Sequence, residues 1–159
     1  MSFIYKNATF SSCRTYRYSL SRIWDKKKKY VLFIGLNPST ADEEVDDPTI
    51  RRCINYVKNW GYGGFLIVNL FAYRTTLPSN LKKVKYPVGK DNDKYIVTLS
   101  KKADITVAAW GNNGNLYSRD KQVLSLVANL MCLKINKSGQ PAHQLYLKKG
   151  LKLTKFARL

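Results

Sequence analysis

Histidine and cysteine are scarce in this sequence, and their scarcity excludes several chemistries. Among 159 residues there is one histidine, His143, and there are three cysteines, Cys13, Cys53 and Cys132. The cysteine number is odd and no two form a C-x-x-C pair. That argues against a disulfide framework, a zinc site and a four-cysteine iron–sulfur cluster. Cys53 falls in a helical pattern and Cys132 at the start of a strand-like run, so both are expected as buried, reduced thiols. Long apolar runs are missing too. The longest, Tyr30 to Leu36 and Phe65 to Tyr73, fall far short of the roughly 20 residues that a bilayer span needs. The first residues, Met-Ser-Phe-Ile-Tyr-Lys, lack a basic region followed by an apolar core, so no signal peptide is expected. The expectation is a soluble, cytoplasmic monomer with no cofactor and no membrane partner.

Acidic residues are also few: 10 Asp and Glu stand against 28 Lys and Arg, a net charge of +18. The basic residues cluster at Lys26 to Lys29, at Lys82, Lys83 and Lys85, at Lys101 and Lys102, and from Lys148 to Arg158. Such a surface fits a polyanion, because phosphate contacts release counterions. DNA is the expected partner. Charge alone says nothing of sequence specificity, since phosphate contacts position a protein and base contacts specify.

The length fits one domain, spanning 1–159, with residues 1–29 as an N-terminal extension packed on it. Strand character in that extension centres on Cys13 to Ile23. Tyr30-Val-Leu-Phe-Ile-Gly-Leu36 is a continuous apolar run that stops at Asn37-Pro38, the pattern of a buried parallel strand. Asp47 before Pro48 reads as a helix cap, and Ile50, Cys53, Ile54, Val57 and Trp60 recur at helical spacing up to Gly61. Phe65 to Phe71 reads as a second buried strand, Asp91 to Lys102 as a helix and Ile105 to Trp110 as a third strand. Tyr117 to Leu130 reads as a third helix, and Met131 to Ile135 as a fourth strand. Alternation of this kind predicts a three-layer α/β/α fold with a mostly parallel central sheet of about four strands. Ligands of such sheets bind outside the carboxyl ends of the strands. Four polar signatures fall there: Asn37 to Thr40, Asn69 with Arg74, Gly111 to Asn113, and His143.

In this order, the four segments resemble the motifs of the uracil-DNA glycosylase superfamily. Gly35-Leu36-Asn37-Pro38 is similar to its Gly-x-Asp/Asn-Pro motif, which places the attacking water, in the Asn form of the mismatch-specific and thymine-DNA glycosylase branches. Phe65-Leu-Ile-Val-Asn69-Leu-Phe-Ala-Tyr-Arg74 is similar to the strand whose Asn reads the base edge. Ala109-Trp110-Gly111 matches the pair that ends the third strand. Pro141-Ala142-His143-Gln144-Leu145 keeps the His of the His-Pro-Ser-Pro motif and lacks both prolines. A fuller resemblance, over most of the chain, is to an uncharacterised family called domain of unknown function 1643. Asn37 to Asp42, Asp46 to Thr49 and Val68 to Arg74 carry it.

The glycosylase resemblance implies a fold like that superfamily's and a hydrolase that breaks an N-glycosidic bond in DNA repair or base modification. Asn37 would orient water, since an amide orients water and cannot deprotonate it. His143 would stabilise charge on the departing base. Asn69 offers a donor and an acceptor to one base edge, with Phe71, Tyr73, Trp110 and Asn112 as further base contacts. Ser39 and Thr40 with the following backbone could form an anion-binding turn, and Arg51, Arg52 and Arg74 are candidate phosphate ligands. Half of the carboxylates fall between Asp42 and Asp47. Asp42 is the candidate for the base that Asn37 cannot be. Two alternatives stay open: a non-catalytic binder of modified nucleotides or DNA, and a metal-dependent hydrolase using residues 42–47.

Overall fold

The computed structural model of the chain describes residues 5–156. Met1 to Ile4 and Arg158, from the two terminal segments read above, lie outside the described residues. The described residues form a seven-stranded sheet flanked by three α-helices. Strands β1 (Tyr5–Phe10), β2 (Arg17–Ile23) and β3 (Tyr30–Gly35) come first. Helix α1 (Pro48–Asn59), β4 (Gly64–Asn69), α2 (Asn92–Lys102) and β5 (Ile105–Ala108) follow. Helix α3 (Arg119–Leu126), β6 (Leu130–Cys132) and β7 (Thr154–Lys155) complete the order.

Strand order across the sheet is β1-β2-β4-β3-β5-β6-β7. The four strands expected from the sequence are its centre, and all of their mutual pairings are parallel. The expectation of about four strands, mostly parallel, needs correction. A β1–β2 hairpin joins β4 antiparallel on one side, and β7 joins β6 antiparallel on the other. Parallel and antiparallel pairings are therefore equal in number. Within the segment read as an extension, β1 and β2 belong to the sheet itself, and the strand placed over Cys13 to Ile23 begins only at Arg17, after a turn with Arg14 at φ 60°.

Alternate residues of the central strands feed two cores. Val31, Phe33, Phe65, Ile67 and Val107 face α1 through Ile50, Cys53 and Val57. Leu32, Ile34, Val68 and Ala108 face the opposite way, toward Ile96 of α2 and Val123 of α3. This is the period-2 alternation of a strand covered on both faces. Cys53 and Cys132 are buried free thiols, and Cys13 is exposed.

The third helix is shorter than its apolar pattern predicts. Tyr117 and Ser118 hold φ of 52° and 56°, outside the helical region, so α3 starts at Arg119. Val127 is extended, and Asn129 turns with φ 58°. Residues 112–118 form an irregular 3₁₀ stretch instead. From β3, the chain passes to β4 on one side and later reaches β5 on the other. The carboxyl end of β3 is thus the switch point of the parallel core, where a crevice is expected.

Candidate functional site

A cavity of about 590 Å³ opens at that switch point. Its walls include Leu36, Asn37 and Ser39 after β3, Asn69 at the end of β4, and Trp110, Gly111, Asn112 and Asn113 after β5. Ala142, His143, Gln144 and Tyr146 come from the loop after β6. Drug-sized ligands occupy cavities of this scale.

Several polar wall residues are held in a defined way. The Asn37 amide donates to the carbonyls of Thr75 (2.8 Å) and Pro38 (3.1 Å). Carbonyls can only accept, so Nδ2 faces them and Oδ1 remains as an acceptor. Asn69 is buried, and its Nδ2 has no partner. Its placement depends on Gly35: a Cβ there would stand 2.7 Å from Asn69 Oδ1. The backbone of Asn69 is fixed by Asn92, whose Nδ2 donates to the carbonyls of Asn69 and Leu70. The Nδ1 of His143 accepts from the Leu145 amide at 3.1 Å. The ring proton therefore belongs on Nε2, leaving a neutral imidazole with one donor. Burial lowers its pKa below the ordinary 6.5, against a smaller upward pull from Asp47.

The indole of Trp110 is locked from behind. Its Nε1 donates to Gln140 Oε1 (2.8 Å), and Gln140 Nε2 donates to Asp120 Oδ2 (2.9 Å). Gly114 packs closely against the ring, since a Cβ there would come within 2.1 Å of Trp110 Cδ1. That contact accounts for the second glycine of Gly111-Asn-Asn-Gly114.

A family model described as protein of unknown function DUF1643 matches residues 17–145. The chain belongs to that family. The match runs from the first residue of β2 past His143 and so takes in most of the cavity walls. No curated protein and no solved structure gives a match.

Of the residues picked from the sequence, Asn37, Ser39, Asn69, Trp110, Asn112 and His143 line the one cavity. Others do not. Phe71 is in the core against Tyr117, and Tyr73 packs edge-on against Tyr16. Thr40 is exposed outside the lining. The carboxylate of Asp42 accepts from the amides of Glu44 and Val45, which holds it below the usual carboxylate range. Arg51 reaches only the carbonyl of Asp46. Arg52 lines a separate depression outside α1 with Lys58 and Lys149. The guanidinium of Arg74 sits 4.6 Å from the centre of the Phe10 ring.

Three of the other four acidic-loop carboxylates have partners as well. Glu43 pairs with Arg14, and Asp46 with the buried Arg22. Asp47 caps α1 through the Ile50 amide (2.9 Å) and also lines the cavity. It is the sole carboxylate doing so among the described residues.

Arg17, Asp47, Lys134, Asn136 and Tyr146 are wall residues that the sequence patterns did not single out as cavity lining. Lys134 and Asn136 follow β6, so the strand-end rule covers them. Arg17 carries no such signal, because it comes from an antiparallel strand that enters the site from the other direction.

Proposed function

We propose that the cavity takes a nucleobase or nucleotide, and that the protein is a glycosylase-like hydrolase of a damaged or modified base in DNA. The observation that carries this reading is the convergence of Asn37, Asn69 and His143 on one cavity, with Trp110 beside them. Their hydrogen bonds leave an acceptor at Asn37, a donor at Asn69 and a donor at His143 for a ligand. The motif order shared with the uracil-DNA glycosylase superfamily supports the same assignment.

In this reading the base leaves the stack and enters the cavity. Asn69 and the Trp110 wall hold it. The bond from C1′ to the base nitrogen breaks, and its electron pair leaves with the base. His143 Nε2–H then donates to the base oxygen on which negative charge grows. Water held by Asn37 Oδ1 adds to C1′, and Asp47 is placed among the walls to take its proton. Tyr146 is 84% exposed at the rim, its ring 5.7 Å from that of His143. It offers a face for stacking on neighbouring bases.

Oligonucleotides carrying uracil, hypoxanthine, mismatched thymine or hypermodified pyrimidines test the reading without added metal. Abasic sites are the expected product. His143→Ala and Asn37→Ala should each lower excision by about 10²–10³-fold while sparing binding. Retained excision in both variants removes the mechanism. Intact bases with salt-sensitive binding of modified DNA would leave a non-catalytic binder. Cleavage requiring magnesium or manganese would move the chemistry to residues 42–47.

A further inference from the structure

Among the described residues, three arginines have almost no exposed surface: Arg17, Arg22 and Arg119. Two have carboxylate partners. Arg22 Nε donates to Asp46 at 2.8 Å, and its other nitrogens reach the carbonyls of Asp42 and Ser21. Arg119 Nη2 donates to Asp93 at 2.8 Å, with Leu70 O and Gln122 as further acceptors. Arg17 differs. It is 3% exposed, it donates from Nη1 to the carbonyl of Ala41 (3.1 Å), and its Nε has no partner. No ion pair joins it to a carboxylate among the described residues. The Asp47 and Asp42 carboxylates act on it only from a distance, and one oxygen of Asp47 caps α1. Burial draws the Arg17 guanidinium down to about 10, so it stays cationic at neutral pH.

A buried cation with no carboxylate in contact is costly to keep. This one is part of the cavity wall. Two other orphaned polar atoms, Asn69 Nδ2 and Gln144 Oε1, belong to residues of the same wall. Among the described residues, three of the four buried side-chain atoms without partners thus belong to residues of one cavity wall.

We propose that Arg17 is the anion-binding element of this cavity, and that the ligand presents an oxyanion to its guanidinium fork. A planar fork matches the paired oxygens of a phosphate or a carboxylate. The proposal deepens the reading of the cavity as a nucleotide site. It needs the cavity to bind and does not need the glycosidic bond to break. The oxyanion has two possible sources in such a ligand: the phosphate of the nucleotide, or a carboxylate carried by a modified base.

Calorimetric titration with deoxyuridine 5′-monophosphate, deoxyuridine, 5-carboxyuracil and uracil separates these sources. At least one charged probe should bind about 10–100-fold tighter than its uncharged counterpart. An advantage for the monophosphate names the phosphate, and one for 5-carboxyuracil names the carboxylate. In Arg17→Met the advantage should vanish, while the melting temperature of the unliganded protein stays at or above the wild-type value. Equal binding of charged and uncharged probes, binding of none, an advantage that survives Arg17→Met, or a lower melting temperature in that variant would each overturn the proposal. Oligonucleotide excision is scored separately. Excision without any Arg17-dependent binding sinks this inference alone. Arg17-dependent binding without excision sinks the glycosylase reading alone.

Discussion

His143 is held neutral by its surroundings, and this gives stability a pH dependence of definite sign. Its pKa in the fold lies below the ordinary 6.5, because burial disfavours the imidazolium. Above that value, folded and unfolded chains both carry the neutral ring. As pH falls through it, the unfolded chain takes up a proton first, and stability drops until the folded pKa is passed. His143→Gln removes this contribution. Its melting temperature should change less between about pH 7.5 and about pH 5 than that of the wild type. Equal slopes in the two proteins would mean that the ring is solvated and free to charge. In the proposed reaction, the same neutrality suits a donor that must not compete for a proton with the departing base. Asn37 and Asn69 were legible in the sequence because each stands at or just beyond an apolar run, where strand-end chemistry collects, and His143 because it is the only histidine and follows the fourth strand. Arg17 was not, because no apolar run points to it. Its burial follows from pairing with strands far along the chain.

At the scale of elements, Asp47 carries two duties that substitution can separate. It caps α1, and it lines the cavity. Asp47→Ala should cost about 1 kcal/mol of stability, the usual loss for an N-cap. Asp47→Asn keeps an acceptor for the Ile50 amide and should stay within a few tenths of a kcal/mol. Denaturant midpoints measure both. If the carboxylate takes the proton from water, the two variants lose excision alike despite their different stabilities. Normal excision in Asp47→Asn would restrict the residue to capping. Helix α1 shows how far local signals reach. Its cap, its proline and its apolar spacing lie within the segment itself, and the helix runs from Pro48 to Asn59 as those signals predict. Strands β1 and β7 have no comparable signal. Tyr5–Phe10 has no fully buried residue and Thr154–Lys155 is only two residues long, so both depend on distant partners. The shortened α3 has a related cause, since the left-handed turn at Tyr117 and Ser118 leaves no mark in an apolar pattern.

Over the whole molecule, three of the four basic clusters are divided between the two ends of the parallel strands. Lys82, Lys83 and Lys85 lie in the segment after β4, which also supplies Pro78 to the cavity. Lys26 to Lys29 precede β3, and Lys101 and Lys102 end α2 just before β5. These two groups lie a strand's length from the cavity, roughly 17–20 Å. DNA that places a base in the cavity should engage the first group. Replacing Lys82, Lys83 and Lys85 by Gln should weaken binding and reduce the salt slope by about one for each phosphate no longer neutralised. The same change at Lys26 to Lys29 should leave excision from a short duplex nearly unaltered. The opposite ranking would put the DNA on the far end. No helix among the described residues is long and apolar enough to cross a membrane. The Trp110–Gln140–Asp120 chain has a mechanical corollary. Gln140 spends its carbonyl on the indole and its amide on the carboxylate, so its side chain cannot turn without breaking both bonds. This braces the rear of the cavity like a buttress, and any widening to admit a guest must come from the front, where Ser39, Pro78 and Tyr146 stand.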